Sequence, residues 1–129
     1  MPKSWTEKYN NGKEAVVKTL EKKFSDMITS DQMLIATPKM IDHYIRQIPK
    51  GKKVNLKTMR KDAALDFNAD NMCPLTAGFF LHIVIEKGHE ENEAGTSIDK
   101  ITPFWRVIDE KSPILKKLSF DAKSYLNLQ

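Results

Sequence analysis

Thr37-Pro38-Lys39-Met40-Ile41-Asp42-His43-Tyr44-Ile45-Arg46-Gln47-Ile48-Pro49-Lys50-Gly51 is the stretch from which the fold is read. A threonine hydroxyl can accept from the free N–H groups of a helix start, and proline fits the first helical position because its missing N–H has no partner there anyway. Ile41, Tyr44, Ile45 and Ile48 then share one face at steps of three and four residues. Pro49-Lys50-Gly51 ends the pattern. The spacing predicts a helix with both ends and its buried stripe marked, and the neighbouring elements are placed outward from it.

Upstream, Met33-Leu34-Ile35-Ala36 is a short apolar run that reads as a strand or an extended lead-in. Val16, Val17, Leu20 and Phe24 recur at helical steps among lysines and glutamates, which predicts an amphipathic helix from Lys13 to near Asp26. Residues 1–36 therefore read as an N-terminal helix with a lead-in, added to a domain over residues 37–129. Downstream, Lys52-Lys53-Val54 fits a small strand. Asn55 is a cap for a helix with core positions Leu56, Met59, Ala63 and Phe67. After the turn at 68–71, Pro74 opens the most apolar helix, residues 75–85, with Gly88 as its stop and residues 86–97 as an exposed acidic tip. The apolar segment 101–108 follows. Helix, turn and second helix in this order give a mainly α domain with a small β wing, of winged helix-turn-helix type.

The chain has 129 residues, the size of one domain. With 40% hydrophobic and 29% charged residues and only 5 glycines and 6 prolines, it belongs to none of the collagen-like, low-complexity or disordered classes. Cys73 is the single cysteine, which excludes an internal disulfide and any multi-cysteine metal site. A reducing, cytoplasmic setting is the expectation. The first residues carry no apolar leader, and the longest apolar stretch, 77–85, is broken by His82, so neither export nor membrane insertion is expected.

The net charge of +4 conceals a sorted distribution. Residues 1–61 hold 14 Lys/Arg against 6 Asp/Glu, residues 62–99 hold only Lys87 against 8 acids, and the remainder is basic again. Such a front half attracts phosphates, yet 18 of the 21 basic side chains are lysine, which gives point charge without the fork that reads base edges. No phosphate-cradling glycine loop and no G-x-S-x-G elbow is present. Cys73 precedes a helix start, a position that can activate a thiol, although a small buried cysteine is the commoner meaning. His82, Glu86 and His89 stand at i, i+4 and i+7, but a helix stop at Gly88 would split them, and no metal or cofactor is expected.

Two segments resemble the DNA-binding domain of alkylguanine DNA alkyltransferases. Thr37-Pro38 with its helix and Ile48-Pro49-Lys50-Gly51 is similar to that family's T-P-F helix and I-P-x-G, and Pro103-Phe104-Trp105-Arg106-Val107-Ile108 resembles its P-C-H-R-V-I strip. Between them, 74–82 resembles the recognition helix A-R-A-V-G-G-A-M-R, with Gly78 on a shared glycine and His82 where the family carries an intercalating arginine. Phe104 stands in place of the alkyl-accepting cysteine and Trp105 in place of its activating histidine, so self-alkylating repair is excluded. The resemblance is closest to the cysteine-free alkyltransferase-like proteins, which bind alkylated DNA and flip the damaged base.

That resemblance implies a base pocket at Phe104, Trp105 and Arg106, and a DNA-facing helix presenting Thr76, Gly78, Phe79 and His82, with His82 as wedge. Phosphate contacts are expected from Lys50, Lys52, Lys53, Lys57, Arg60 and Lys61, with double-stranded DNA as partner. The helix itself is unusually apolar for this role, since Leu75, Phe79, Phe80, Leu81, Ile83, Val84 and Ile85 leave little of it polar. Two alternatives stand beside the DNA reading. One is a protein-interaction module or homodimer using residues 86–99 or the Phe79-Phe80 face; the other is an alkyl acceptor at Cys73.

Overall fold

The computed structural model describes residues 5–10, 12, 14–24, 27–28 and 30–129. In chain order these form α1 (Trp5–Tyr9), β1 (Val16–Thr19), β2 (Gln32–Ile35), α2 (Pro38–Arg46), α3 (Leu56–Leu65), β3 (Asn71–Met72), α4 (Pro74–Glu93) and α5 (Lys123–Leu126). Two 3-10 turns, Phe104–Arg106 and Pro113–Lys117, lie between α4 and α5. The architecture is mixed helical with one small sheet in the order β1-β2-β3, antiparallel between β1 and β2 and parallel between β2 and β3.

Local signals set the starts of the helices. Thr37 Oγ1 accepts from the Met40 amide at 3.3 Å and Asn55 Oδ1 from the Thr58 amide at 2.8 Å, as their cap positions require. α3 stops because Asn68 turns left-handed (φ 55°), which lets the Ala69 amide reach back to the Ala64 carbonyl at 3.0 Å. Phe67 lies past that stop and is largely exposed, not a core position. α4 is the axis of the core. α1 and α2 both pack on it, and Ala77, Leu81, Val84 and Ile85 are all but sealed against Ile41, Ile45, Met59 and Phe104.

Three sequence expectations need correcting. The amphipathic helix predicted around residues 16–24 is not formed. Val16–Thr19 is a strand, with Val16 opposite Ile35 and Thr19 opposite Gln32, because adjacent β-branched valines satisfy a ladder as readily as a helical stripe. The ends of that expected helix, Lys13 and Asp26, lie outside the described residues. β2 also pairs with β3, with Met33 opposite Asn71, so the sheet joins β1 and β2 to the chain after α3. Its strands all precede α4, and Lys52-Lys53-Val54 forms no strand; the Val54 amide instead donates to the Arg106 carbonyl at 2.8 Å.

Gly88 does not end α4, which continues to Glu93. A Cβ at Gly88 would sit 3.2 Å from the Phe104 ring, so the glycine is the close-approach point of helix and ring. The expected acidic tip is accordingly part of the core at its start: Glu86 is 2% exposed and accepts from the Ser119 hydroxyl at 2.6 Å and the Ser119 amide at 3.2 Å. Asp42 gathers a second buried polar knot. It accepts from Tyr9 Oη at 2.5 Å, from Arg46 Nε at 2.8 Å and from the Thr102 hydroxyl, joining α1, α2 and the 101–108 segment. Among the described residues no helix is long and apolar enough to cross a membrane.

Truncating the fully buried ring in Phe104→Ala should lower stability by about 3–5 kcal/mol, measured by urea unfolding; a loss under ~1 kcal/mol would contradict the packing described. The three tyrosines supply a pH test. Burial foremost, with the Asp42 carboxylate next, raises Tyr9; burial and then Asp62 raise Tyr44; burial and then Glu93 raise Tyr125. A raised folded value means the stabilisation is complete below the ordinary tyrosine value of about 10 and is lost as pH climbs beyond it. Tyrosinate absorbance should therefore appear together with loss of helical circular dichroism above that pH, and titration at the ordinary value in a still-folded chain would contradict the two hydrogen bonds.

Candidate functional site

A groove of about 870 Å³ runs between the start of α3, the first half of α4 and the segment following Ile101. One wall is Lys53, Val54, Asn55 and Leu56; the opposite wall is α4 from Pro74 to His82 through Leu75, Thr76, Gly78 and Phe79; the floor and far rim are residues 106–109 with Ser112, Pro113, Ile114 and Lys117. The volume falls in the range of small-molecule sites. Its lining is chiefly apolar, and its charged groups are Lys53, Arg106 and Lys117 against Asp109 alone, with His82 at the inner end.

Arg106 sets the geometry of this groove. The 3-10 turn at Phe104–Arg106 places Phe104 and Trp105 inward and Arg106 toward the groove. Its Nη1 donates to the Ile48 carbonyl at the end of α2 at 2.7 Å, and its own carbonyl accepts from the Val54 amide. The Val54 wall and the chain just past α2 are thereby held to one residue. Gly78 leaves open space on α4, since nothing lies within 4 Å of where its Cβ would be.

The structure thus brings Thr76, Gly78, Phe79, His82, Lys53 and Arg106, expected on three separate sequence segments, around one groove. Several expected roles are corrected. Phe104 is fully buried and Trp105 is 6% exposed. Their rings belong to an internal aromatic cluster, with Phe104 5.3 Å from Trp105 and 4.8 Å from Tyr125, and they offer no open notch to a base. His82 is half-buried beneath Trp5, ring centroids 5.0 Å apart, with its Nε2 sealed 3.5 Å from Glu86 Oε2, which removes it as a free wedge. Arg60 is buried and its Nε donates to the Met72 carbonyl at 2.9 Å, anchoring β3 and not facing phosphate.

Lys50, Lys52, Lys53, Lys57 and Lys61 are exposed, as a phosphate-facing cluster requires. The acidic block meets this cluster at Asp62, which follows Lys61 directly on α3 and accepts from Tyr44 Oη at 2.8 Å. Of its members on α4, Glu86 is buried, Glu90 accepts from Thr6 and Glu91 from Lys87, toward the end of the helix away from the groove. Thr76 and Glu90 are separated along the axis by roughly 21 Å at the α-helical rise. Cys73 is buried with Met27 and Met33, and among the described residues no histidine or carboxylate hydrogen-bonds its sulfur, so no base is placed to activate it.

Sequence reasoning missed the far wall. Ser112, Pro113, Ile114 and Lys117 were not singled out, although Ser112-Pro113 is a turn-opening pair and Lys116-Lys117 ends that turn with charge. His89, paired in sequence with His82, lies instead against Phe120 at 3.8 Å between ring centroids and hydrogen-bonds Tyr125 Oη at 2.9 Å. Among the described residues no cluster of histidine, cysteine and carboxylate side chains is arranged to hold a metal. No protein-family model, curated protein or solved structure matches the chain.

Proposed function

We propose that this chain is a non-enzymatic DNA-binding module of winged helix-turn-helix type, with α3 and α4 as the helix pair, that holds a base lifted out of the stack in the groove beside Arg106. The observation that carries the reading is the groove itself. It has chiefly apolar walls and room for a base; Arg106, Lys53 and Lys117 line it, and Lys50, Lys52, Lys57 and Lys61 are exposed nearby in the chain. Apolar walls favour a flat, desolvated base, and lysine point charge favours a phosphate backbone without demanding a sequence. The resemblance to alkyltransferase-like proteins supports the same reading and names an alkylated guanine as the base. The corrected pocket is adjacent to the expected one, moved from Phe104 and Trp105 to the face of Arg106.

A second reading, a protein-interaction module, is favoured by the exposure of Leu75 and Phe79, 70% and 62%, at the groove mouth. Binding to acidic, structured duplex DNA separates the two. In fluorescence anisotropy with labelled duplexes, with and without an alkylated guanine, binding should be tighter to the modified duplex. The logarithm of its affinity should fall linearly with that of salt, by about 0.9 per phosphate contacted. Lys52→Ala and Lys57→Ala should each reduce that slope by about 1 while leaving the preference for the modified base in place. Absence of binding to either duplex at low salt would overturn the DNA reading in favour of the second.

A further inference from the structure

We infer that the base taken by this groove is one already unpaired, in a bulge or a single strand, and that Phe79 is the ring on which it stacks. The inference rests on the DNA-binding reading above and narrows its substrate. It follows from what the groove-facing half of α4 does and does not present. Leu75 and Phe79 are one helical turn apart on the same stripe, and Phe79 is 62% exposed while its edge-to-face contact with Phe80, 5.7 Å between centroids, holds the ring at the groove wall. A large ring left in water beside an apolar slot of about 870 Å³ is a stacking platform waiting for a second flat surface.

The same half-helix lacks the means to open a paired duplex. Its polar side chains are Thr76 and His82. Thr76 Oγ1 is turned to the Cys73 carbonyl at 3.4 Å, and His82 is covered by Trp5 with its Nε2 directed to Glu86. Neither is free to read a base edge in the major groove or to fill the gap an extruded base leaves, so unpairing receives no compensating hydrogen bonds from α4. Arg106 is likewise committed, through Nη1, to the Ile48 carbonyl. What remains is stacking on Phe79 and lysine charge along the strand, the pair of features that serves unpaired nucleic acid, where the cost of extrusion is already absent.

The test uses the full chain and four labelled probes of one sequence: a fully paired duplex, the same duplex with one bulged nucleotide, the single strand, and the single strand with an abasic site at its centre. Anisotropy at fixed low salt should show the bulged duplex and the single strand bound about ten-fold or more tightly than the paired duplex, the single strand weakening on loss of the base. Phe79→Ala, a surface change whose fold is verified by circular dichroism, should erase most of that preference, and Phe79→Trp should restore it. Equal or tighter binding of the paired duplex would overturn this inference while leaving the DNA reading intact. An unchanged preference in Phe79→Ala would also overturn it. No binding to any probe would overturn the DNA reading itself.

Discussion

The contact between the Phe104 ring and α4 at Gly88 is the constraint on which the arrangement of the groove depends. A residue without a Cβ lets the helix come this close to the ring with no displacement, since the nearest ring atom lies 3.2 Å from where that Cβ would stand. Beyond Phe104 the tight turn carries Trp105 into the aromatic cluster with Tyr125 and Arg106 to the groove. The site is then a consequence of core packing. A ring expected to line a pocket instead fixes, from inside the core, the turn that carries Arg106 to the groove.

Charge follows the same division of labour. α4 carries an apolar, groove-facing beginning and an acidic end, and the acids of that end are satisfied locally by Thr6 and Lys87. Glu86, the one acid that sits mid-helix, is held by the Ser119 hydroxyl and amide and lies out of solvent. None of the α4 acids lines the groove, whose own charged groups are three cations and Asp109. Net charge by chain segment and charge by surface differ because a helix of this length spans the domain.

Much of the architecture was legible in the residues. Thr37, Pro38, Asn55 and Pro74 act as the starts their chemistry predicts, and the Ile41, Tyr44, Ile45, Ile48 stripe belongs to the core, fully or in part. What misled were residues whose role is tertiary. Val16 and Val17 satisfy helical spacing and ladder pairing equally, and only the presence of β2 decides between them. Gly88 in a helical pattern reads as a terminator unless the ring that packs on it, sixteen positions later, is known. Around the groove, residues from three of the expected segments meet, but Phe104 and Trp105 face inward. Helical or strand periodicity says nothing about which residues of a three-residue turn face the interior. The far wall from Ser112 to Lys117 carries no periodic pattern and was invisible until the chain closed over it.

Arg106 joins the carbonyl of Ile48 to its side chain and the amide of Val54 to its backbone. One residue thus ties the end of α2 and the approach to α3 to the same short turn, and that turn is itself pinned by the buried Phe104. Moving the Val54 segment away from this turn would break the backbone hydrogen bond to Arg106. The Val54 side of the cleft is consequently preset by the fold, so a molecule seated there would meet a wall already in place.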